Sequence, residues 1–278
     1  MRADLERLLA GAERDGRAVA AFTVYGIDTA LGVLAAAEAA GTGVVLLVSR
    51  QAFAAPLGPP LLAALCELAE RSPVPVCLQL DHVDDLDLIA AALEAGVDVV
   101  MADGSKLPDA ENVAFVQAAA ALAGEHGALL EAELGRIEGN EEIAHGVRPA
   151  GFTDPAAARE FVAATGVACL AVSIGNVHGR YAAPPRLDFG LLAELDAAVP
   201  CALSLHGASG IPAADVRRAI GLGIRKVNVN TELRERYFAT LEARAGELAA
   251  GSQVLALSTA LTAETEAVAA AKIAAMRA

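Results

Sequence analysis

The sequence lacks tryptophan, and aromatic residues make up only 4% of its 278 residues. Positive charge is also scarce, because 21 Lys and Arg face 35 Asp and Glu and give a formal net charge of −14. So acidic a chain repels polyanions and has no basic patch of the kind that nucleic-acid-binding proteins carry. Hydrophobic residues make up 55% of the chain, enough for a large core. We therefore expect a globular protein with no nucleic-acid partner.

Long apolar runs are absent as well. A charged residue, glycine or proline interrupts each run well before about 20 residues, the length that a membrane span needs. The N-terminal segment 1–7 carries acidic residues and lacks the basic and then apolar layout of a signal peptide, so it is interpreted as a surface helix. The prediction is a cytoplasmic protein that does not contact a membrane.

Cysteine is sparse. The chain has four cysteines, Cys66, Cys77, Cys169 and Cys201, which lie far apart in apolar runs. Such positions favour reduced thiols in the core over a disulfide or a metal site made of cysteines alone.

A regular alternation of short apolar runs and helical stretches fills most of the chain. Eight runs are candidate strands, at 18–25, 43–49, 74–82, 97–104, 128–135, 168–175, 201–207 and 224–231. Apolar residues at helical spacing predict helices at 28–40, 60–71, 109–126, 154–165 and 212–221, and a helical tail over 231–277 with a break near 251–252. Because the strands are apolar nearly throughout, both faces of their sheet must be covered.

Eight strand–helix units in a chain of this length predict an α/β (β/α)8 TIM barrel with an extra C-terminal helix, since that fold takes about 250 residues. An open, doubly wound sheet is the competing architecture, but no G-x-G-x-x-G follows the first strand. No linker or shift in composition divides the chain, so we expect one domain over residues 1–278.

Three histidines close candidate strands, at the end of a TIM barrel where the active site lies: His82, His178 and His206. Three neutral imidazoles that converge there would form a catalytic zinc site with an open fourth position. The alternative for each is a hydrogen-bonded packing residue. Asp81, beside His82, could exchange protons with a substrate, cap a helix or support a ligand.

Two loops after the last two strands, 206–210 and 228–231, are small and polar. Their backbone amides could approach a phosphate, because barrel enzymes commonly bind one at this place. The segment 136–152 is long for a connection between a strand and its helix. We expect it to be either a functional lid or a disordered insertion.

Six segments carry a family pattern: VPVCLQLDH, VVMADGSKLPDAENV, EAELGRIEGNEE, FVAATGVACLAVSIGNVHGRY, LSLHGASGI and IRKVNVNTELR. Through them the chain resembles the class II, zinc-dependent ketose-bisphosphate aldolases, which include the fructose- and tagatose-bisphosphate aldolases. The pair NVHG and LHGASG is the most specific part. The resemblance implies reversible cleavage of a phosphorylated ketose to dihydroxyacetone phosphate and an aldehyde.

The resemblance also implies residue roles. His82, His178 and His206 would hold the catalytic zinc, and Asp103 and Glu133 would hold a displaced or second metal ion. Asp81 would donate or accept the proton of the cleaved alcohol, and Glu141 would move protons on the three-carbon ketone. The residues implied to bind dihydroxyacetone phosphate are Gly179, Gly207, Ala208, Ser209, Asn228, Val229, Asn230 and Thr231. A monovalent cation, Na⁺ or K⁺, would lie near the phosphate.

The chain departs from the family pattern in places. Thr23 stands where relatives often have asparagine, Gln79 where histidine is frequent, and Val83 where the residue is smaller. Asn230 stands where relatives often have aspartate or alanine, and 138–142 keeps only part of the family's GGEED. No basic motif for a second phosphate is visible; the candidate substitutes are Arg148, Arg180 and Arg277.

Two alternatives therefore stay open. One keeps the zinc-dependent chemistry but uses a different aldehyde acceptor, which need not carry a phosphate. The other is a non-catalytic barrel subunit that supports a partner aldolase. A Schiff base on Lys106 or Lys226 is not expected, because zinc would already supply the electrophile. The resemblance further implies a homodimer or homotetramer.

Overall fold

The structure is a computed structural model that describes residues 1–139, 145–147 and 151–277, with only the backbone of 145–147. Its strands are β1 (Val19–Thr23), β2 (Val44–Ser49), β3 (Val76–Val83), β4 (Val99–Ala102), β5 (Leu129–Leu134), β6 (His145–Val147), β7 (Cys169–Val172), β8 (Arg180–Tyr181), β9 (Ala202–Leu205) and β10 (Ile224–Val229). Eight of them close into a parallel barrel in the order β1-β10-β9-β7-β5-β4-β3-β2, and β6 pairs with β8 outside it. The predicted TIM barrel is confirmed.

Helices connect the strands and cover the barrel. They are α1 (Leu5–Arg14), α2 (Ile27–Ala40), α3 (Arg50–Ala54), α4 (Gly58–Arg71), α5 (Leu86–Glu94), α6 (Asp109–His126), α7 (Pro155–Thr165), α8 (Phe189–Ala198), α9 (Ala213–Gly221), α10 (Thr231–Ala250) and α11 (Val254–Ala275). The helical tail breaks at Gly251, as predicted, and α11 is the extra C-terminal helix.

The amino-terminal half of the barrel interior is apolar. Cys77 and Cys169 point into it and pack with Val45 and other inward-facing side chains. Helix α1 was expected at the surface, but its apolar side, with Leu5 fully buried, joins this cluster. All four thiols are free in the described part of the chain, as predicted.

The carboxyl-terminal half of the interior is polar. Successive inward positions of β3 change from Cys77 to Gln79 and Asp81, because side chains on one face of a strand recur every second residue. Strands β5, β9 and β10 also contribute buried polar side chains to this half: Glu131, Glu133, Ser204, Lys226 and Asn228. Burying so many polar groups at one end is costly unless they pair or bind something, which marks that end as the site.

Helix α11 is long and apolar enough to cross a membrane by length and composition alone. It packs on α2, where Gly32 lies so close that a β-carbon there would meet the carbonyl oxygen of Thr262 at 2.5 Å. Its buried residues, among them Leu261 and Ile273, face the fold. These contacts make α11 part of the barrel's helical layer.

Candidate active site

A bulge in β3 brings two functional side chains to one place. The pairing of β3 with β4 shifts register between Leu80 and Val83, and His82 has a positive φ of 52°. Asp81 and His82 consequently both line a cavity of about 150 Å³ at the carboxyl end of the barrel.

The three predicted histidines meet beside this cavity. The ring centroid of His82 lies 4.7 Å from that of His178 and 4.9 Å from that of His206. The ring nitrogens His82 Nε2 and His206 Nδ1 are 3.0 Å apart. Together with Glu133, these histidines offer four ligand atoms that all lie within 4.8 Å of one another. Imidazole nitrogens and a carboxylate are the ligands that zinc prefers alongside cysteine.

Asp103 contacts His82 on the ring nitrogen that faces away from His206. The Nδ1–H of His82 donates to Asp103 Oδ2 at 2.8 Å, and Ser105 Oγ donates to Asp103 Oδ1 at 2.6 Å. Burial opposes both of the following shifts. The charge of Asp81, and then the hydrogen bond and charge of Asp103, raise the pKa of His82 well above its usual value. The hydrogen bond and charge of His82, with hydrogen bonds from Ser105, lower the pKa of Asp103. Asp103 lies outside the described four-ligand cluster, so its predicted direct contact with a metal ion stays a prediction.

Glu133 is suited to a metal ion. It is 1% exposed, and burial, with Asp103 nearby, raises its pKa to about 8. Its Oε1 accepts a hydrogen bond from the backbone of Ile137 at 2.9 Å, whereas its Oε2 has no hydrogen-bond partner among the described residues. An orphaned carboxylate oxygen beside three imidazoles is costly without a cation. The residues present therefore fit zinc.

Asp81, the predicted proton-transfer residue, lies at the same cavity. It is 1% exposed, lies opposite Ser49 of β2 in the sheet, and lines the same cavity as Glu133. The helix-capping alternative belongs to a neighbour, because Asp85 caps α5 through hydrogen bonds from its first backbone amides.

The two most specific motifs touch each other. Gly207 has a φ of 62°, and a β-carbon there would meet the carbonyl oxygen of Val177 at 1.9 Å. Asn176 Nδ2 donates to the backbone oxygen of His206 at 3.1 Å, and the Tyr181 hydroxyl donates to that of Gly207 at 2.9 Å. The NVHG and LHGASG segments thus form one unit that carries two of the three histidines.

The residues implied to bind phosphate surround this unit. Ser209 is buried and donates its hydroxyl to Glu232, which also accepts from Lys272 of α11. Asn230 directly precedes the 20-residue helix α10, whose first residue is Thr231, and accepts a hydrogen bond from the Tyr25 hydroxyl at 3.1 Å.

Two residues implied to bind phosphate, Ala208 and Val229, have side chains that face away from the site. The side chains of Ala208 and Val229 pack in the core between barrel and helices. Only their backbones are left to face a ligand. Asn228 points into the barrel, where its Nδ2 lies 3.5 Å from His206 Nδ1.

Glu131 was not predicted as a site residue from the sequence. It contacts His206 in the barrel interior, and Lys226 contacts Glu131 in turn. Glu131 and Glu133 are two apart on β5, and Lys226 and Asn228 are two apart on β10, so each pair shares the inner face. That spacing was the available signal.

The predicted proton-transfer residue Glu141 and the candidate cation Arg148 lie outside the described residues. The two other candidate cations for a second phosphate, Arg180 and Arg277, do not line the cavity. Arg180 pairs with Glu235 at 2.7 Å. The backbone of Arg277 forms an isolated β-bridge with that of Arg17, which precedes β1 at the opposite end of the barrel.

Comparisons with known proteins agree with this geometry. Residues 3–278 match the family described as "Fructose-bisphosphate aldolase class-II". The chain is 40% identical over 230 residues, 82% of this chain and 81% of its relative, to a protein of Klebsiella oxytoca named D-tagatose-1,6-bisphosphate aldolase subunit GatY.

Two solved structures share the fold across nearly the whole chain. The YdjI aldolase from Escherichia coli K12 superposes with a TM-score of 0.89 at 30% identity, covering 99% of this chain and 97% of its own. A putative fructose-1,6-biphosphate aldolase from Coccidioides immitis gives 0.91 at 29% identity, covering 98% and 95%. On the whole-chain family match, the chain belongs to the class II fructose-bisphosphate aldolases, a zinc-dependent family, and is an aldolase of ketose bisphosphates.

Proposed function

We propose that residues 1–278 form a single aldolase domain that cleaves and forms a ketose 1,6-bisphosphate, with dihydroxyacetone phosphate as the donor. The observation that carries the proposal is the convergence of three histidines, Glu133 and Asp81 at one cavity. The relative named as a tagatose-1,6-bisphosphate aldolase subunit supports a hexulose bisphosphate as substrate. Cytoplasmic location and assembly as a homodimer or homotetramer belong to the same proposal.

His82, His178 and His206 would hold the zinc, with Glu133 and Asp103 available to a displaced or second ion. When bound, zinc supplies a Lewis acid that stabilises negative charge on the ketone oxygen. Asp81 protonates the aldehyde oxygen during condensation and takes the proton back during cleavage. Glu141 removes the proton from the donor carbon.

The donor phosphate would lie against the backbone of 207–209 and 228–231 and Gly179, near the N-terminus of α10, with a monovalent cation beside it. A helix N-terminus attracts anions, because its first amides and the helix dipole point toward them. Asn230 precedes this helix. The donor side is therefore formed after β7, β9 and β10.

A second candidate is an acceptor aldehyde without a phosphate. Two of the three Lys and Arg side chains that line the cavity are already paired, Arg50 with Asp84 at 2.6 Å and Arg136 with Glu138 at 3.3 Å, and Lys106 is the third. These pairs weaken the site's attraction for an acceptor phosphate. The alternative of a non-catalytic subunit is disfavoured, because a structural barrel has no need of the zinc-binding set and Asp81.

The test separates the two halves of the reaction. Zinc-loaded protein is incubated with dihydroxyacetone phosphate in D2O, and proton exchange is followed by NMR with and without a panel of phosphorylated and neutral aldehydes. We expect exchange without an aldehyde, its loss on chelation, and adducts that identify the acceptor. A native, zinc-loaded protein that does not exchange would contradict the proposal.

Variants assign the two proton-transfer roles. Glu141→Ala should slow exchange by about 100-fold or more, the usual size of a general-base contribution, whereas the neighbouring Glu142→Ala serves as the matched control. Asp81→Asn should keep much of the exchange but abolish carbon–carbon bond formation. Loss of both activities in a zinc-loaded Asp81→Asn protein would show that the roles are divided differently.

A further inference from the structure

We propose that Glu131 is a positioning residue for the metal site, which fixes the orientation and tautomer of His206, and that Lys226 and Gln79 hold Glu131 in place. The inference rests on the metal-binding role proposed for His206. It assigns a task to a fully buried ionic cluster that the proposed proton transfers do not use.

Glu131 is bound on both carboxylate oxygens. Its Oε1 lies 2.9 Å from His206 Nε2. Its Oε2 lies 2.9 Å from Lys226 Nζ and accepts a hydrogen bond from Gln79 Nε2 at 2.8 Å. All four residues have 0% exposure, so no solvent competes for these contacts.

The contact with Glu131 selects one tautomer of His206. An ionised carboxylate only accepts hydrogen bonds, so His206 Nε2 must carry the proton that it donates. The lone pair is then on Nδ1, the nitrogen that faces His82 Nε2 at 3.0 Å inside the cluster. Orienting a ligand histidine through its other nitrogen in this way raises its basicity and fixes its ring.

Lys226 offsets the cost of burying the Glu131 carboxylate in the barrel interior. A buried carboxylate without a partner is strongly destabilising, and breaking a buried pair leaves an uncompensated charge. The Lys226 ammonium neutralises Glu131 and also donates to Asn228 Oδ1 at 2.6 Å. One lysine therefore supports both the carboxylate behind a metal ligand and an asparagine on the proposed donor side.

Paired substitutions separate positioning from folding. Glu131→Leu with Lys226→Met removes both charges together, which avoids a lone buried charge, and deletes the acceptor for His206. Glu131→Gln with Lys226→Met also removes both charges but keeps an acceptor oxygen. Asp98→Asn is the control, because it breaks the Arg2–Asp98 ion pair of 2.6 Å at the opposite end of the barrel.

The measurement is zinc affinity by competition with a chelator, on protein shown to be folded by its thermal unfolding. We expect the Leu/Met variant to bind zinc roughly 10- to 100-fold more weakly, the usual effect of losing a partner behind a ligand, and the Gln/Met variant to recover part of that loss. Asp98→Asn should bind zinc like the native protein. A folded Leu/Met variant with native affinity would overturn the proposal.

A second measurement needs no buried substitution. In metal-free native protein labelled with 15N-histidine, long-range NMR correlations report which ring nitrogen carries the proton, and His206→Gln identifies the signal. We expect His206 to carry it on Nε2, and a proton on Nδ1 alone would overturn the inference. If native protein binds zinc but shows no aldolase activity, the proposed function fails instead and the inference stands.

Discussion

Asp81 and His82 are consecutive residues of β3, yet both side chains line the same cavity. In a regular strand they would point to opposite faces. The register shift between Leu80 and Val83 and the positive φ of His82 turn the second side chain toward the first. The irregular geometry of β3 thus brings the proposed proton-transfer group and a proposed metal ligand to one cavity, and strained residues often occur at functional sites.

This strain predicts an unusual order of stability for variants of His82. His82→Ala and His82→Gly both remove the imidazole, so both should lose zinc-dependent activity. In metal-free protein the glycine variant should be about 1 kcal/mol more stable to denaturant, because a left-handed conformation is unfavourable for alanine. The matched pair is Leu80→Ala and Leu80→Gly in the same strand, where alanine should be the more stable. The same order at both positions would contradict the prediction.

The contact between the two motifs predicts that Gly207→Ala is damaging. The new β-carbon would meet the carbonyl oxygen of Val177 at 1.9 Å, at a φ of 62°. We expect a loss of more than about 1 kcal/mol in the free energy of unfolding, together with loss of activity, because the segment that carries His178 is displaced.

Gly124→Ala in α6 is the control, since nothing lies within 4 Å of the position of its β-carbon. There the substitution should stabilise the protein by roughly 0.4–1 kcal/mol, because it reduces the freedom of the unfolded chain. Equal effects at the two glycines, measured by urea unfolding, would rule out the steric argument.

The barrel could be predicted from sequence because its strands and helices differ in the spacing of apolar residues. All eight candidate strands follow from that spacing, and the break at Gly251 follows from the Gly251-Ser252 pair. The convergence of His82, His178 and His206 could be predicted too, since strand ends of a barrel share one rim.

Other features depend on tertiary contacts that spacing does not report. The bulge at His82 depends on how β3 pairs with β4. The role proposed for Glu131 depends on contacts with His206, directly after β9, and with Lys226 of β10, both far along the chain. The burial of α1 could not be predicted from spacing, because it depends on the apolar barrel interior that α1 covers at its amino-terminal end.

Glu232 links the last helix to the proposed phosphate loop, which predicts a pH-dependent stability. Burial alone would raise the pKa of Glu232, but Lys272 and Ser209 lower it below its usual value. The stabilisation is therefore present above the carboxyl group's unfolded pKa and is lost as pH falls through the lower, folded value.

Lys272→Met should consequently reduce the free energy of unfolding near neutral pH by roughly 1 kcal/mol, and the difference from the native protein should shrink in acid. Arg71→Met, which breaks the exposed pair with Glu67, is the control and should change stability by less than about 0.5 kcal/mol. The measurement is urea unfolding over a pH series. A difference that stays constant into acid would contradict the assignment.

The surroundings of Lys226 predict that the enzyme forms no Schiff base. A lysine attacks a carbonyl only as the neutral amine, and covalent catalysis of this kind relies on a lowered pKa. Lys226 is fully buried, which by itself lowers its pKa, but Glu131 and Asp81 outweigh burial and raise it. Its ammonium group is further held by Asn228 at 2.6 Å.

Borohydride added with dihydroxyacetone phosphate should therefore trap no adduct on Lys226, nor on Lys106, which lines the cavity. Mass spectrometry of proteolytic peptides checks both lysines. Reductive methylation with formaldehyde is the reference: Lys226 should stay unmodified in the native protein and become modified only after unfolding, which shows that its peptide is detectable. A substrate-dependent, borohydride-stable mass increase on either lysine would show that the reaction proceeds through a Schiff base. The roles proposed for the histidine cluster would then have to be reassigned.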